Sequence, residues 1–235
     1  MDIYLRKALL RYIRIIPNAL LKSLNIYVDK KNWKDENWEE SLFRKKNKVI
    51  FVGAGCHRKN NSYLNKYHTE ICKIFEPKKA YKEAVLASLK EQRSHFDVIV
   101  GIHIRRGDYN DFLGGIYYYQ DETYLKFMSM IRDELHSSGR KVVFLLCSNE
   151  KLEKEAFSNV DTFQIPAEQA MTDLFALSQC DYILGPPSTY SMWASYYGKV
   201  PLKFVKNEHE QVNLVHFSEI IAQDTFANGN ILVHE

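Results

Sequence analysis

The sequence lacks an apolar run of eighteen residues, so we expect no membrane-spanning helix. A signal peptide is not expected either, because arginines interrupt the apolar stretch at the N-terminus. The four cysteines have neither a C-x-x-C pair nor zinc-ligand spacing, which argues against zinc ribbons and thioredoxin-like redox motifs. Cys147 and Cys180 lie in apolar runs that are typical of buried thiols, and this usage predicts a reducing, cytoplasmic location.

The composition has little of what disordered or nucleic-acid-binding chains contain. Only 6 Pro and 10 Gly occur among 235 residues, and 46% of the residues are hydrophobic, which predicts a folded globular chain. The net charge of +3 is small and dispersed, so nucleic acid is not an expected partner. The length allows one large or two small domains and indicates no oligomeric state.

Apolar runs alternate with helical segments along most of the chain. Strands that alternate with helices form parallel sheets, so we expect an α/β fold. The predicted strands cover residues 48–52, 97–104, 142–147, 163–165, 182–184 and 202–205. The predicted helices cover residues 63–75, 79–93, 123–136, 152–157, 167–179 and 192–197.

A basic amphipathic helix is predicted at residues 1–22, where leucines and isoleucines alternate with arginines and lysines. Such a helix either packs on its own domain or lies on an anionic membrane surface. The second alternative predicts peripheral contact with the inner face of the cytoplasmic membrane, which would suit a lipid-linked substrate.

The segment from His103 to Tyr109 has the sequence His-Ile-Arg-Arg-Gly-Asp-Tyr and follows a buried strand. Ligands of open α/β sheets bind at the carboxyl ends of strands. The planar donor fork of arginine matches phosphate oxygens, so Arg105 and Arg106 predict a site for a phosphorylated ligand. The alternative is a solvated turn with two surface arginines.

A second polar segment follows another predicted strand and contains Ser188, Thr189 and Ser191. These residues are good helix N-caps, and a helix N-terminus with free N–H groups is a ready anion site. The alternative is that the hydroxyl groups only cap the helix.

Together these two segments resemble the bacterial alpha-1,2-fucosyltransferases of glycosyltransferase family 11. The resemblance covers roughly residues 60 to 205, and Phe144 to Glu150 forms a weaker middle match. It implies a GT-B-like fold whose C-terminal Rossmann-like domain, residues 96–235, has helices on both faces of a parallel sheet and binds GDP-fucose. Residues 1–95 would form a reduced N-terminal, acceptor-side region.

The resemblance also implies roles for individual residues. Arg105 would hold the diphosphate, His103 would lie near the nucleotide, and the carboxylate of Asp173 would accept hydrogen bonds from guanine. Phosphate and nucleotide contacts would come from Arg106, Ser188, Thr189 and Ser191. The candidates for the base that deprotonates the acceptor hydroxyl are Asp108 and Asp111. Asp108 has the alternative role of locking the turn or pairing with an arginine.

Two absences qualify this expectation. No Asp-x-Asp triplet occurs, so cationic side chains rather than a metal would stabilise the departing diphosphate, and no cofactor is expected. The Gly-rich loop that opens full-length relatives is also absent, which predicts a shortened N-terminal half. The resemblance implies an inverting transferase that acts on the galactose of a surface-glycan precursor. The alternative is a non-catalytic nucleotide-sugar-binding remnant.

Overall fold

The structure is a computed structural model, and it describes residues 17–28, 46, 49–51, 62–166, 170–222 and 225–226. By its internal contacts the chain divides into two compact units, Met1–Asn61 and Ser62–Glu235. The domain boundary that we predict at residue 95 stays a prediction. Most of the predicted amphipathic helix, residues 1–16, lies outside the described residues.

The first unit contains a helix and a pair of parallel strands. Helix α1 spans Asn18–Ser23, strand β1 spans Ile26–Val28, and strand β2 spans Val49–Phe51. Ile26 pairs with Val49 in the register of the two strands. The predicted strand at residues 48–52 is confirmed over Val49–Phe51, the part of it that the structure describes.

The second unit carries a five-stranded sheet and most of the helices. Its helices are α2 Ser62–Lys66, α3 His68–Ile74, α4 Lys79–Gln92, α5 Asp121–Ser137, α6 Ala170–Leu177 and α7 Thr189–Gly198. Its strands are β3 Val98–Ile104, β4 Val142–Ser148, β5 Thr162–Phe163, β6 Tyr182–Gly185 and β7 Leu202–Phe204, followed by the short antiparallel pair β8 Ile220–Ala222 and β9 Thr225–Phe226. Short 3-10 turns cover Gly107–Asn110, Phe112–Gly115, Lys154–Phe157 and Leu214–His216.

The five strands β3 to β7 are all parallel, and their order across the sheet is β5-β4-β3-β6-β7. This is the 3-2-1-4-5 order of doubly wound folds, in which the winding reverses between the first and fourth strands. The expected α/β class with a Rossmann-like parallel sheet is confirmed. The reversal point lies between β3 and β6, the two strands that precede the two polar segments.

Alternating side chains of the sheet fill two separate cores, one on each face. One core joins Ile99 of β3 to helices α4, α6 and α7. The other joins Val100 and Ile102 of β3 to helix α5, which contributes Phe127 and Ile131. The sheet therefore has helices on both faces, as expected.

Cys147 and Cys180 are buried free thiols, as predicted. No helix in the described part of the chain is long and apolar enough to cross a membrane.

Candidate functional site

The two polar segments meet at the reversal point of the sheet. Strands β3 and β6 are adjacent, with Ile102 opposite Leu184. The close approach requires a glycine at the end of β6, because a Cβ on Gly185 would lie 2.7 Å from the carbonyl oxygen of His103. The sheet therefore places the arginine segment beside the loop that leads into helix α7.

Tyr109 joins these two segments directly. Its hydroxyl donates a hydrogen bond to the carbonyl oxygen of Pro187 at 2.6 Å, and its ring is buried. Burial raises the pKa of the Tyr109 hydroxyl, so this hydroxyl stays a donor at neutral pH. Tyr109 thus ties the arginine segment to the residues that precede α7. We call the space between these two segments, beyond the carboxyl ends of β3 and β6, the crevice.

Arg105 is half-buried at the edge of this crevice. Its Nη2 lies 2.8 Å from Oδ1 of Asp108, and its guanidinium lies 5.5 Å from the centre of the Tyr109 ring. The cation–π contact and the ion pair orient the guanidinium without requiring all five of its N–H donors. Arg105 can therefore offer donors to an anionic ligand.

Arg106 faces the interior of the fold instead. Its Nε donates to the carbonyl oxygen of Tyr119 at 3.2 Å, and its Nη2 forms a short ion pair with Asp121 at the start of α5. Asn149 fixes the backbone of Arg106 from both sides, accepting from its N–H at 2.8 Å and donating to its carbonyl oxygen at 3.0 Å. The structure gives Arg106 a role in the fold, and its predicted contact with the nucleotide stays a prediction.

His103 presents a buried ring on the α6 and α7 side of the sheet. The residue is 4% exposed, and its Nδ1 finds no hydrogen-bond partner among the residues that the structure describes. Burial, and to a smaller extent the charge of Arg105, lowers the pKa of His103 to about 3. The ring is therefore neutral and can exchange one hydrogen bond with a ligand. Since a buried polar atom without a partner is costly, Nδ1 of His103 is a candidate for a hydrogen bond to a bound ligand or water.

The N-terminus of helix α7 begins at the same crevice. Oγ of Ser188 caps the helix by accepting from the N–H of Tyr190 at 3.2 Å. Ser191 is buried, and its Oγ donates to the carbonyl oxygen of Ser188 at 3.3 Å, whereas Thr189 is exposed. Both the capping alternative and the anion-site alternative are compatible with this geometry, since a capped helix still directs its dipole at a bound anion.

Asp173 lies on α6, near the ring of Tyr190. Burial raises the pKa of Asp173 to about 6, which a hydrogen bond with Cys147 partly opposes. The hydroxyl of Tyr190 bonds to the carbonyl oxygen of Ala170 and so ties α6 to α7. The ring centre of Tyr190 lies 5.1 Å from that of His103. Tyr190 therefore lies between Asp173 on α6 and His103 at the end of β3.

The two candidate bases lie on the exposed loop that follows Arg105. Asp108 forms an ion pair with Arg105. Pairing with an arginine is the alternative role that the sequence predicts for it. Asp111 accepts a hydrogen bond from Nδ2 of Asn110 at 3.3 Å. Both carboxylates are solvent-accessible; Asp108 belongs to the 3-10 turn Gly107–Asn110, and Asp111 lies between this turn and the next one, Phe112–Gly115.

Three residues that shape the site are missing from our sequence-based predictions, namely Tyr109, Asn149 and Tyr190. Asn149 lies in the middle segment of the family resemblance, so its position after β4 was an available signal. Tyr109 ends the segment that begins at His103, and Tyr190 lies between Thr189 and Ser191, so their positions within the two polar segments were the available signal. In the part of the chain that the structure describes, no group of three or more His, Cys, Asp or Glu side chains could hold a metal ion.

Comparisons with known proteins give a family and several distant structures. The family model for glycosyl transferase family 11 matches residues 3–206. Among solved structures, a mutant of Arabidopsis thaliana FUT1 in complex with GDP is 14% identical, with 83% of this chain and 53% of that chain covered and a TM-score of 0.48. Fucosyltransferase NodZ from Bradyrhizobium is 17% identical, with 74% of this chain and 67% of that chain covered and a TM-score of 0.43.

POFUT1 in complex with GDP-fucose is 11% identical, with 76% of this chain and 59% of that chain covered and a TM-score of 0.48. The chain thus spans only about half to two thirds of the length of these solved chains. A search of curated proteins found no match.

Proposed function

The chain belongs to glycosyl transferase family 11, and we propose that it transfers fucose from GDP-fucose to a galactose-type hydroxyl of a surface-glycan precursor. One observation carries the proposal. Arg105, the unpartnered Nδ1 of His103 and the N-terminus of α7 converge where the winding of the sheet reverses. This is the crevice in which open α/β sheets bind nucleotides.

The diphosphate of the donor would bind between Arg105 and the start of α7. As the bond between fucose C1 and the β-phosphate oxygen breaks, negative charge builds on the departing GDP. The guanidinium of Arg105 and the backbone N–H groups at the start of α7 would stabilise that charge. Because Arg105 is already oriented by Asp108 and Tyr109, little reorganisation is needed during the reaction.

The guanine base would be recognised by Asp173. Its carboxylate matches the adjacent N–H and NH₂ donors of guanine, whereas uracil presents only a single N–H donor. A site built to pair with polar groups discriminates strongly against ligands that lack them. The neutral ring of His103 would exchange one hydrogen bond with the nucleotide.

The acceptor hydroxyl would attack fucose C1 on the side opposite the diphosphate, with inversion at that carbon. Its proton would pass to Asp108 or Asp111, and the products would be the fucosylated glycan and GDP. No metal takes part in this proposal, and the acceptor linkage is alpha-1,2. The reaction would take place in the cytoplasm or at the inner face of the membrane.

Calorimetric titration with GDP-fucose, GDP-mannose and a UDP-sugar tests the donor, and release of GDP in the presence of a galactoside tests the transfer. We expect tightest binding of GDP-fucose and acceptor-dependent release of GDP. Binding of GDP-fucose with no release in the presence of any galactoside would favour the non-catalytic alternative. Absence of binding would contradict the proposal.

A further inference from the structure

Helix α6, which carries Asp173, is held differently at its two ends. Its last residue, Leu177, is fully buried, and a Cβ on Gly101 of β3 would lie 2.6 Å from Cδ2 of Leu177. The helix begins instead with two exposed residues, Ala170 and Met171. Asp173 belongs to this first turn. Close packing on the sheet therefore fixes the end of α6, whereas the turn with Asp173 depends on other contacts.

Two side chains from outside α6 contact the backbone of its first turn. The hydroxyl of Tyr190, on α7, donates a hydrogen bond to the carbonyl oxygen of Ala170. Sγ of Cys147, on β4, lies 4.0 Å from the carbonyl oxygen of Asp173. Because a thiol is only a weak donor, the hydrogen bond from Tyr190 is the stronger of the two contacts.

The surroundings of the Tyr190 hydroxyl keep it a donor. Burial, and to a smaller extent the charge of Asp173, raises the pKa of this hydroxyl, so it stays protonated at neutral pH. A hydrogen bond with the backbone of Leu174 partly opposes the shift. Ala170 and Leu174 are four residues apart, and a helix pairs the C=O and N–H groups at that spacing. The hydroxyl of Tyr190 therefore bonds to the backbone on both sides of Asp173.

The rest of Tyr190 belongs to the crevice. The centre of its ring lies 5.1 Å from that of the His103 ring, with 31° between the two planes. Its backbone N–H lies at the start of α7, where Oγ of Ser188 accepts from it at 3.2 Å. One residue thus joins the helix start that would hold the diphosphate to the turn that would read the base.

We propose that Tyr190 is a positioning residue for base selection, whose hydroxyl holds the first turn of α6 so that the carboxylate of Asp173 faces guanine. This inference rests on the proposed function, because it assigns a specificity-determining group to the same nucleotide site. Tyr190 acts through Asp173 here and does not itself read the base. The alternative is that its ring stacks directly on the nucleotide. Phenylalanine separates the two roles, since it keeps the ring and lacks the hydroxyl.

Calorimetric titration of the full chain with GDP and with UDP tests the inference. The variants are Tyr190→Phe, Asp173→Asn, the double variant that combines them, and Tyr197→Phe as the matched control. Tyr197→Phe removes a hydroxyl from the same helix, and the centre of the Tyr197 ring lies 6.3 Å from that of Phe175 on α6. Thermal unfolding of each variant shows that it is folded, and replacing tyrosine by phenylalanine adds no volume that could disturb the packing.

The loss of one hydrogen bond should reduce the preference for GDP over UDP about threefold in Tyr190→Phe. Tyr197→Phe should keep the wild-type preference. When Asp173 is already asparagine, removal of the Tyr190 hydroxyl should change the preference no further, because both substitutions act on one contact. The full preference in Tyr190→Phe, which the stacking alternative predicts, overturns the inference. An equal loss with and without the carboxylate of Asp173 also overturns it.

The wild-type titrations separate this inference from the proposed function. If the wild type prefers GDP and Tyr190→Phe prefers it equally, only the positioning role of Tyr190 is contradicted. If the wild type binds GDP-fucose but shows no preference for guanine, the role of Asp173 falls and this inference falls with it. Failure of the wild type to bind GDP-fucose contradicts the proposed function itself.

Discussion

At the scale of single residues, two adjacent arginines have different surroundings. Arg105 lies at the crevice with Asp108 and Tyr109, whereas the side chain of Arg106 is buried against Tyr119 and Asp121. The separation follows from an extended backbone, in which successive side chains point to opposite faces. Each arginine can therefore be tested with a different measurement.

Replacing Arg105 with alanine should weaken GDP binding and nearly abolish transfer. The loss of a charge-assisted donor to developing charge costs on the order of 3 kcal/mol, or about a hundredfold in rate. Arg105→Lys should not restore the rate, because an ammonium lacks the planar fork. Calorimetry and transfer assays measure both effects. Normal transfer by a folded alanine variant would rule out this role.

The raised pKa of Asp173, about 6, predicts a pH dependence of GDP binding. If only the carboxylate reads guanine, GDP affinity should be constant above pH 7 and fall about tenfold for each pH unit well below 6. The terminal phosphates of GDP and UDP titrate alike over this range, so the ratio of the two affinities isolates the effect of Asp173. Asp173→Asn should flatten the GDP profile and erode the preference for GDP over UDP by about tenfold or more. A profile that is identical in the variant would contradict the assignment.

The raised pKa of Asp173 also predicts how the stability of the fold depends on pH. Because folding raises the pKa of Asp173, its contribution to stability is greatest below pH 4, where the carboxyl is neutral in both states. That contribution is lost as pH rises through about 6. Urea unfolding should therefore show that Asp173→Asn gains stability relative to the wild type between pH 4 and pH 7.

At the scale of elements, the ion pair of Arg106 and Asp121 fixes the end of β3 to the start of α5. Breaking a largely buried pair leaves one charge without its partner, so Arg106→Ala should lower the free energy of unfolding by about 3 kcal/mol. Chemical denaturation measures this loss. The matched variant Asp121→Asn should also destabilise the fold. Unchanged stability of both variants, with weaker GDP binding by Arg106→Ala, would instead support the predicted nucleotide contact.

The contact between α7 and the end of α6 depends on Gly198. A Cβ on this residue would lie 1.9 Å from the carbonyl oxygen of Ser178, which belongs to the backbone and cannot move aside. Gly198→Ala should therefore destabilise the fold by about 2 kcal/mol, as overpacking of a core does. Thermal unfolding measures the change. Gly139→Ala meets no atom within 4 Å but lies at a φ of 74°, so a loss of stability there reports left-handed backbone strain and not the packing conflict expected at Gly198. Equal stability of Gly198→Ala and the wild type would contradict this close packing.

The strands and helices of the second unit were predictable because their apolar patterns are strong. Strand β3 is apolar at nearly every position and buried on both faces, and α5 carries one clear apolar stripe. The conformation of the 3-10 turns between Gly107 and Gly115 was not predictable, since Leu113 has a positive φ that its residue type rarely adopts. The separate roles of Arg105 and Arg106 were hidden because they depend on where Tyr119 and Asp121 pack.

At the scale of the whole molecule, the site as proposed relies on side chains and one helix N-terminus for its positive charge. GDP-fucose binding and transfer should therefore survive an excess of EDTA. Restoration of lost activity by Mg²⁺ or Mn²⁺ would show that the site needs a metal ion. A variant with weakened donor binding, Arg105→Ala, should not be rescued by either ion.

The strand order has a consequence for the chain as it is being synthesised. Arg105 and Ser188 emerge from the ribosome about eighty residues apart, which takes about 4 to 16 s at ordinary elongation rates. During this interval β3 can pair with β4, but the other wall of the crevice does not yet exist. The GDP-sugar that we propose as donor could therefore stabilise only chains that have been translated beyond α7, and nascent chains halted earlier would gain nothing from its presence.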